Sequence, residues 1–140
     1  MIIKIFILLA FVLIQSCGVF NRVPSSQSNA CDILDHKSSW KRAVKKTSKK
    51  WGVSPALQLA FIKTESNFRA RAKTPRKFFL GIIPNGRISS AYGYAQALNG
   101  TWDWYKKNTG NRSASRTNFY DATDFIGWYV SQTNKKLKIS

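Results

Sequence analysis

Acidic side chains are scarce in this sequence. Its 140 residues include 6 Asp plus Glu against 23 Lys plus Arg, which gives a formal net charge of +17, and Glu65 is the only glutamate. Such an excess of positive charge predicts a polyanionic neighbour. Nucleic acid, an anionic membrane leaflet and a carboxylate-rich wall polymer all meet that description, and charge alone does not choose among them.

Metal-binding residues are scarce as well. The chain has one histidine, His36, and two cysteines, Cys17 and Cys31. These cannot supply the spaced sets of ligands that zinc sites use, so we expect no metal and no cofactor. With 44% hydrophobic residues, the chain has enough apolar side chains for one globular domain, which we expect to be a monomer.

Only one long hydrophobic run is present, at residues 5–14 (IFILLAFVLI), directly after Lys4. It is typical of a secretory signal and too short to cross about 30 Å of hydrocarbon as a helix. Residues 13–17 (LIQSC) resemble the lipobox of bacterial lipoproteins. We therefore expect a signal peptide over residues 1–16, cleavage before Cys17 and lipidation of Cys17, with ordinary signal cleavage and a soluble secreted protein as the alternative.

Export has consequences for location and partners. The expected place is the bacterial cell envelope, at the periplasmic face of the membrane through the lipid anchor, and nucleic acid is then not an expected partner. If Cys17 carries lipid, Cys31 has no disulfide partner within the chain.

The remaining sequence predicts a mainly α domain behind a linker. Polar residues 17–37 indicate a flexible tether, and residues 38–140 the folded domain. Ser38 and Ser39 can begin a basic amphipathic helix whose cations either face solvent or contact anionic lipid or wall polymer. Ser54-Pro55 is a strong start for a second helix, apolar around most of its circumference and therefore expected to be buried.

Three further elements follow. Residues 73–90 predict a loop with β character, with a short strand or hairpin arm near residues 78–83. Helices are predicted at about residues 101–108, stopped by Gly110, and at residues 121–136. The last helix carries apolar side chains at helical spacing as far as Leu137, which predicts one long face against the core.

Glu65 is the candidate for acid–base chemistry. It follows Ile62 by three residues and Phe61 by four, which predicts a carboxyl on an apolar helix face. Loss of hydration there would raise its pKa toward neutrality, as a general acid requires. A lone glutamate at a helix end is otherwise a surface or capping residue, so the neighbouring motifs decide the interpretation.

Those motifs are residues 65–68 (ESNF), 90–96 (SAYGYAQ), 101–102 (TW) and 120–129 (YDATDFIGWY). Together they resemble the soluble lytic transglycosylase family, which has a goose-type lysozyme-like helical fold, and the resemblance extends over about residues 51–132. It implies cleavage of the β-1,4 bond between N-acetylmuramic acid and N-acetylglucosamine in peptidoglycan strands, with formation of 1,6-anhydro ends. A hydrolytic muramidase and a wall-binding lipoprotein without activity are the alternatives.

The resemblance also assigns residues. Glu65 matches the family's acid and base, and Ser66 the residue that holds this glutamate or the sugar. Gly93 and Gln96 match a Gly-x-x-Gln segment that binds saccharide, although Tyr94-Ala95 stands where Leu-Met is commoner. The aromatic residue near the glutamate is expected to be Tyr129, with Tyr92 and Tyr94 as further substrate-binding residues.

A second catalytic carboxylate is not evident. Two-carboxylate glycosidases need an acidic partner within about 5 to 9.5 Å of the first. Asp121 and Asp124 are expected in the first turn of a helix, where negative charge is favourable for structural reasons, and Asp103 lies between two tryptophans. We therefore expect Glu65 to act alone.

Overall fold

A computed structural model describes residues 23–138, of which 54% are helical. The expected signal peptide and Cys17 lie outside this range. Within it are five helices and one two-stranded sheet: α1 (Ala30–His36), α2 (Ser38–Trp51), α3 (Pro55–Ser66), β1 (Arg76–Phe79), β2 (Ile83–Arg87), α4 (Asn99–Thr109) and α5 (Phe119–Leu137). The predicted mainly α class is confirmed, and none of these helices is long and apolar enough to span a bilayer.

The first helix corrects the predicted boundary of the domain. Residues 30–36, assigned above to a flexible tether, form α1, whose N-terminus is capped where the Asn29 side chain accepts a hydrogen bond from the Asp32 amide. Ile33 of this helix is buried in the core, and Pro24 is buried as well. Two isolated apolar residues in a polar stretch carry too little periodicity to predict a helix of this length.

The basic helix α2 lies against α5. Its buried residues are Trp40, Ala43, Val44 and Thr47, whereas its lysines face outward. Gly127 of α5 allows the close approach, since a Cβ at that position would lie 2.6 Å from Thr47 and from Trp51. The helix ends at Gly52, which adopts a left-handed conformation with φ 75° and donates its N–H to the Ser48 carbonyl.

The third helix begins where capping chemistry predicts. Ser54 accepts a hydrogen bond from the Leu57 amide, and Pro55 occupies the first helical position. The helix is buried on one face rather than on most of its circumference, because Leu57 and Ala60 are exposed. On the buried face, Gln58 donates to the carbonyls of Val44 and Val53, which connects α3 to α2.

The two C-terminal helices also match their predicted positions. Helix α4 ends at Gly110, which has φ 71°, and α5 is capped by Asn118. The long apolar face of α5 is buried only in its first half, from Phe119 to Trp128, whereas Leu137 is exposed. The expectation that the whole face packs on the core is therefore wrong for the last two turns.

The predicted arm is an antiparallel hairpin. Phe79 pairs with Ile83 and Phe78 with Pro84, and the register shifts between Arg76 and Phe78. Every residue of both strands is exposed. The hairpin therefore projects from the helical domain and contributes no side chain to its core.

Candidate active site

The glutamate lies in the last turn of α3, where the chain reverses sharply. Asn67 (φ 49°) and Phe68 (φ 59°) both adopt left-handed conformations, and the Asn67 amide donates to the Lys63 carbonyl at 2.9 Å. Phe68 then enters the core and stacks on Trp40 with ring centroids 5.6 Å apart. The buried Phe68 ring therefore fixes the end of the helix that presents Glu65.

The Glu65 side chain is exposed. The expectation that apolar neighbours would strip its hydration is wrong, because Ile62 is fully buried on the core face while the carboxyl of Glu65 faces solvent. Within residues 23–138 the Glu65 carboxyl makes no hydrogen bond or ion pair. The negative end of the helix dipole also disfavours an anion at this position, so helix stability does not explain the glutamate.

Ser66 serves the framework of the helix end. It is buried, and its hydroxyl donates to the Ile62 carbonyl at 3.0 Å. Its own carbonyl accepts hydrogen bonds from the Arg69 amide and from Arg69 Nε, both at 3.1 Å. The expected role in holding Glu65 or a sugar is corrected accordingly, since the hydroxyl is turned into the helix.

Gly93 lies in a turn that no other residue fits without strain. Its φ is 82°, and a Cβ built on it would lie 2.1 Å from the Arg116 carbonyl oxygen. The Gly93 amide donates to the Ala72 carbonyl at 3.0 Å, and the Tyr94 amide donates to the Arg116 carbonyl at 3.1 Å. In this structure the missing side chain therefore makes room for a neighbouring backbone rather than for a saccharide.

Gln96 closes the same turn. It has φ 45°, and its side-chain amide donates to the carbonyls of Gly93 (2.8 Å) and Ala72 (3.0 Å). Both amide hydrogens are thus used within the protein. The Oε1 atom makes no hydrogen bond within residues 23–138. A hydrogen bond between Gln96 and a sugar therefore remains a prediction, in which Oε1 would accept from the sugar.

The two tyrosines of this segment lie in different environments. Tyr94 is 3% exposed, and burial raises the pKa of its hydroxyl to about 12. Its ring contacts Trp40 and Phe119 edge to face, so the ring belongs to the core, and substrate binding through its hydroxyl remains a prediction. Tyr92 is half-buried. Its predicted role in substrate binding remains a prediction.

Trp40 connects the Glu65 helix to the Gly93–Gln96 turn. Phe68, three residues after Glu65, stacks on Trp40, and Tyr94, one residue after Gly93, contacts the same indole at 5.9 Å. Ala72 adds a second connection, since its carbonyl accepts from both ends of the turn. The two motifs are therefore held by one shared set of contacts, although they are separate in sequence.

Tyr129 lies on the outer part of α5. It is 40% exposed, and its ring stacks on Phe125 at 5.7 Å and lies 6.4 Å from Trp128. These two ring contacts are both within its own helix, and its proximity to Glu65 remains a prediction.

The aspartates are engaged elsewhere. Asp124 accepts hydrogen bonds from Lys50 (2.9 Å), Trp51 Nε1 (2.8 Å) and the Tyr105 hydroxyl (2.8 Å). Burial, reinforced by this hydrogen bond, raises the pKa of the Tyr105 hydroxyl. This network joins α2, α4 and α5. From the sequence, Asp124 is expected only to stabilise the start of a helix. The residues near it in the sequence do not indicate that residues 50, 51 and 105 lie beside it in the fold.

The other two candidate aspartates, Asp103 and Asp121, also have structural partners. Asp121 accepts from the Ser115 amide at 2.9 Å and from the Asn111 side chain at 3.3 Å, whereas exposed Asp103 pairs with Lys106 at 3.0 Å. None is therefore an unengaged second carboxylate. Within the described part of the chain, no three His, Cys, Asp or Glu side chains are grouped closely enough to hold a metal ion.

A polar pocket of about 360 Å³ lies beside the Gly93–Gln96 turn. Tyr92 and Arg116 line one side of it, and Asn99, Asp103 and Lys106 of α4 line another. The Arg116 guanidinium donates to the carbonyls of Ser90 and Ala97 and lies 5.3 Å from the centre of the Tyr92 ring. The sequence analysis did not identify Arg116, because a single arginine in a polar loop does not indicate a binding site.

Comparison with known proteins gives one match. The sequence profile of a family described as "Transglycosylase SLT domain" matches residues 5–140. No curated protein and no solved structure matched the chain. The match extends over both the helix that carries Glu65 and the turn built around Gly93.

Proposed function

The chain belongs to the SLT transglycosylase family, whose lysozyme-like domains act on the glycan strands of peptidoglycan, and we propose that it cleaves such strands. The bond cleaved is the one between N-acetylmuramic acid and N-acetylglucosamine, with Glu65 as the single acid and base. One observation carries the assignment of the residue. Glu65 is the only glutamate in the sequence, and its exposed side chain has no partner among residues 23–138. It lies at a helix end that two left-handed residues and the buried Phe68 hold in place.

The chemistry needs two proton transfers through one carboxyl group. Protonated Glu65 donates its proton to the glycosidic oxygen as the bond to the muramic acid C1 breaks, which releases the leaving sugar as an alcohol. The resulting carboxylate then takes the proton of the muramic acid 6-hydroxyl, whose oxygen forms a bond to C1. The product carries a 1,6-anhydro ring, no water is consumed, and Glu65 is protonated again for the next cycle.

Exposure of Glu65 places a condition on this mechanism. In the free protein the carboxyl is exposed, so a bound glycan strand has to displace water from the end of α3 before Glu65 can reach the glycosidic oxygen. Activity would then depend on how closely the strand covers Glu65. A retaining mechanism with a second carboxylate is less well supported, because Asp121 and Asp124 already accept hydrogen bonds from the protein.

Charge supports the same class of substrate. Between Glu65 and Asp103 the sequence contains six Lys and Arg and no acidic residue. Wall strands carry peptide carboxylates, and a surface with this excess of cations attracts them.

The proposed location is the envelope, with lipid attached to Cys17. Radiolabelled palmitate should then be incorporated into the full chain expressed in a bacterium and not into its Cys17→Ser variant. Equal labelling of both would exclude the anchor and leave the enzymatic proposal untouched.

The test of the function is digestion of purified sacculi by the full chain, followed by mass analysis of the fragments. We expect 1,6-anhydro muramic ends. Reducing muramic ends would assign a hydrolytic muramidase instead. Binding to sacculi without any release of fragments would assign a wall-binding protein, and both results would contradict the proposal.

A further inference from the structure

The hairpin carries the most exposed apolar side chains of the described domain. Its tip holds Leu80 at 77% exposure and Ile82 at 78%. Four more large apolar residues on or beside it are more than half exposed, and none of them belongs to the core: Phe78, Phe79, Ile83 and Ile88. A contiguous apolar patch of this kind marks an interaction surface.

The tip is held outward by its own backbone. Phe79 pairs with Ile83 across the strands, and the Ile82 amide donates to the Phe79 carbonyl at 3.3 Å. Leu80 and Gly81 both adopt left-handed conformations, with φ 51° and 76°, which makes a tight turn. The apolar residues at this turn are therefore presented together at the end of a two-stranded arm.

The base of the arm is cationic. Arg76 and Lys77 begin the first strand, Arg87 ends the second, and Lys73 lies just before them. No acidic residue lies anywhere from position 66 to position 102. The hairpin thus has an apolar end and a basic end, in a segment without negative charge.

The two sides of the arm are also joined at its base. Arg87 donates to the Thr74 carbonyl, and the Thr74 hydroxyl donates to the Ser89 carbonyl at 2.9 Å. These bonds hold the cationic end of the arm together below the paired strands.

We propose that this hairpin inserts its tip into the surface of an anionic lipid bilayer. From Arg76 to Leu80 the strand rises about 13 Å at most, at about 3.3 Å per residue. The tip would therefore reach the boundary of headgroups and acyl chains, some 5–10 Å deep, while the cations stay among the lipid phosphates. An aliphatic tip offers no hydrogen bond to a sugar, and the cationic base matches anionic headgroups. The inference does not depend on the proposed activity.

Such an insertion would hold the enzyme at the membrane independently of any lipid on Cys17. Stable membrane binding takes two signals, and an apolar contact together with a basic patch can supply them. The hairpin provides both kinds of contact in one element.

The test places a fluorophore on the tip. In the full chain with Cys17→Ser and Cys31→Ser, an environment-sensitive dye is attached to Leu80→Cys or, as the matched control, to Ala56→Cys, an exposed helix position. Both chains are mixed with vesicles of equal parts phosphatidylglycerol and phosphatidylcholine. We expect a blue shift for the dye at position 80 and none at position 56, whether or not the N-terminal apolar run is also bound.

A charge variant tests the basic end. Arg76→Gln together with Lys77→Gln should lower the partition coefficient for anionic vesicles about twenty-fivefold, because each cation near an anionic surface contributes roughly a fivefold factor. Vesicles of phosphatidylcholine alone should give little shift. No blue shift at position 80 with anionic vesicles would overturn the proposal.

Two further results would reassign the hairpin. A shift at position 80 on purified sacculi without lipid would indicate a glycan contact, and a shift that grows with protein concentration alone would indicate a second copy of the chain. As an independent check, Leu80→Ser with Ile82→Ser should digest lipid-free sacculi within about twofold of the wild type, since neither side chain packs on the domain. A large loss there would also count against a membrane role, whereas failure of the wild type to digest sacculi bears only on the proposed function.

Discussion

Replacement of Gly93 by alanine tests how the turn beside the candidate site is built. An alanine at φ 82° costs about 1–2 kcal/mol from its left-handed backbone alone. Its Cβ would also lie 2.1 Å from the Arg116 carbonyl oxygen, so the two backbones have to separate. That separation breaks the 3.1 Å hydrogen bond from the Tyr94 amide to the same carbonyl. Leaving buried backbone groups unpaired costs about 1–3 kcal/mol.

Gly110→Ala is the matched control. Gly110 has nearly the same φ, 71°, but nothing lies within 4 Å of the position of its Cβ. Urea unfolding followed by tryptophan fluorescence should show a loss of about 1–2 kcal/mol in the free energy of unfolding for Gly110→Ala. Gly93→Ala should lose about 2–5 kcal/mol. Equal losses in the two variants would refute the argument that the Arg116 backbone occupies the space beside Gly93.

Two further predictions concern the buried polar groups. Asp124→Asn removes the charge that accepts from Trp51 and Tyr105, so the free energy of unfolding should fall by about 1–3 kcal/mol in urea titrations; a loss no greater than that of the exposed Asp103→Asn would contradict the network. Burial raises the pKa of Tyr94 to about 12, against 10 in the unfolded chain, so the folded state holds the hydroxyl proton more tightly. The protonated hydroxyl therefore contributes fully to the free energy of unfolding below pH 10, and this contribution is lost as the pH rises from about 10 to 12. Over that interval Tyr94→Phe should lose less stability than the wild type, and parallel curves would show that the hydroxyl is not buried.

Local chemistry explains what the sequence predicted correctly. The helix start at Ser54-Pro55 and the stop at Gly110 depend on capping and on φ, which are properties of a few adjacent residues. The hairpin was predicted from an apolar run between turn-forming residues. In each case the structure adds little that the neighbouring residues did not already determine.

Tertiary contacts explain what it did not. The burial of Tyr94 depends on Trp40 and Phe119, which come from two distant helices, and the engagement of Asp124 depends on residues at positions 50, 51 and 105. The exposure of Glu65 has the same origin. The spacing indicates that Glu65 lies near Ile62 on the surface of the helix. Which part of the helix surface faces the core depends on how the helix packs against the others.

The most direct test of the central claim is the initial rate at which anhydro-muropeptides are released from purified sacculi by the Glu65→Gln chain. The substitution keeps the size of an exposed side chain that contacts no partner in the described part of the chain, so the fold should be unchanged by far-UV circular dichroism. If Glu65 is the acid and base, the rate should fall by about a hundred- to ten-thousandfold. Asp35→Asn, which changes an exposed carboxylate of α1 in the same way, should keep the wild-type rate. Release by Glu65→Gln at the wild-type rate would contradict the account.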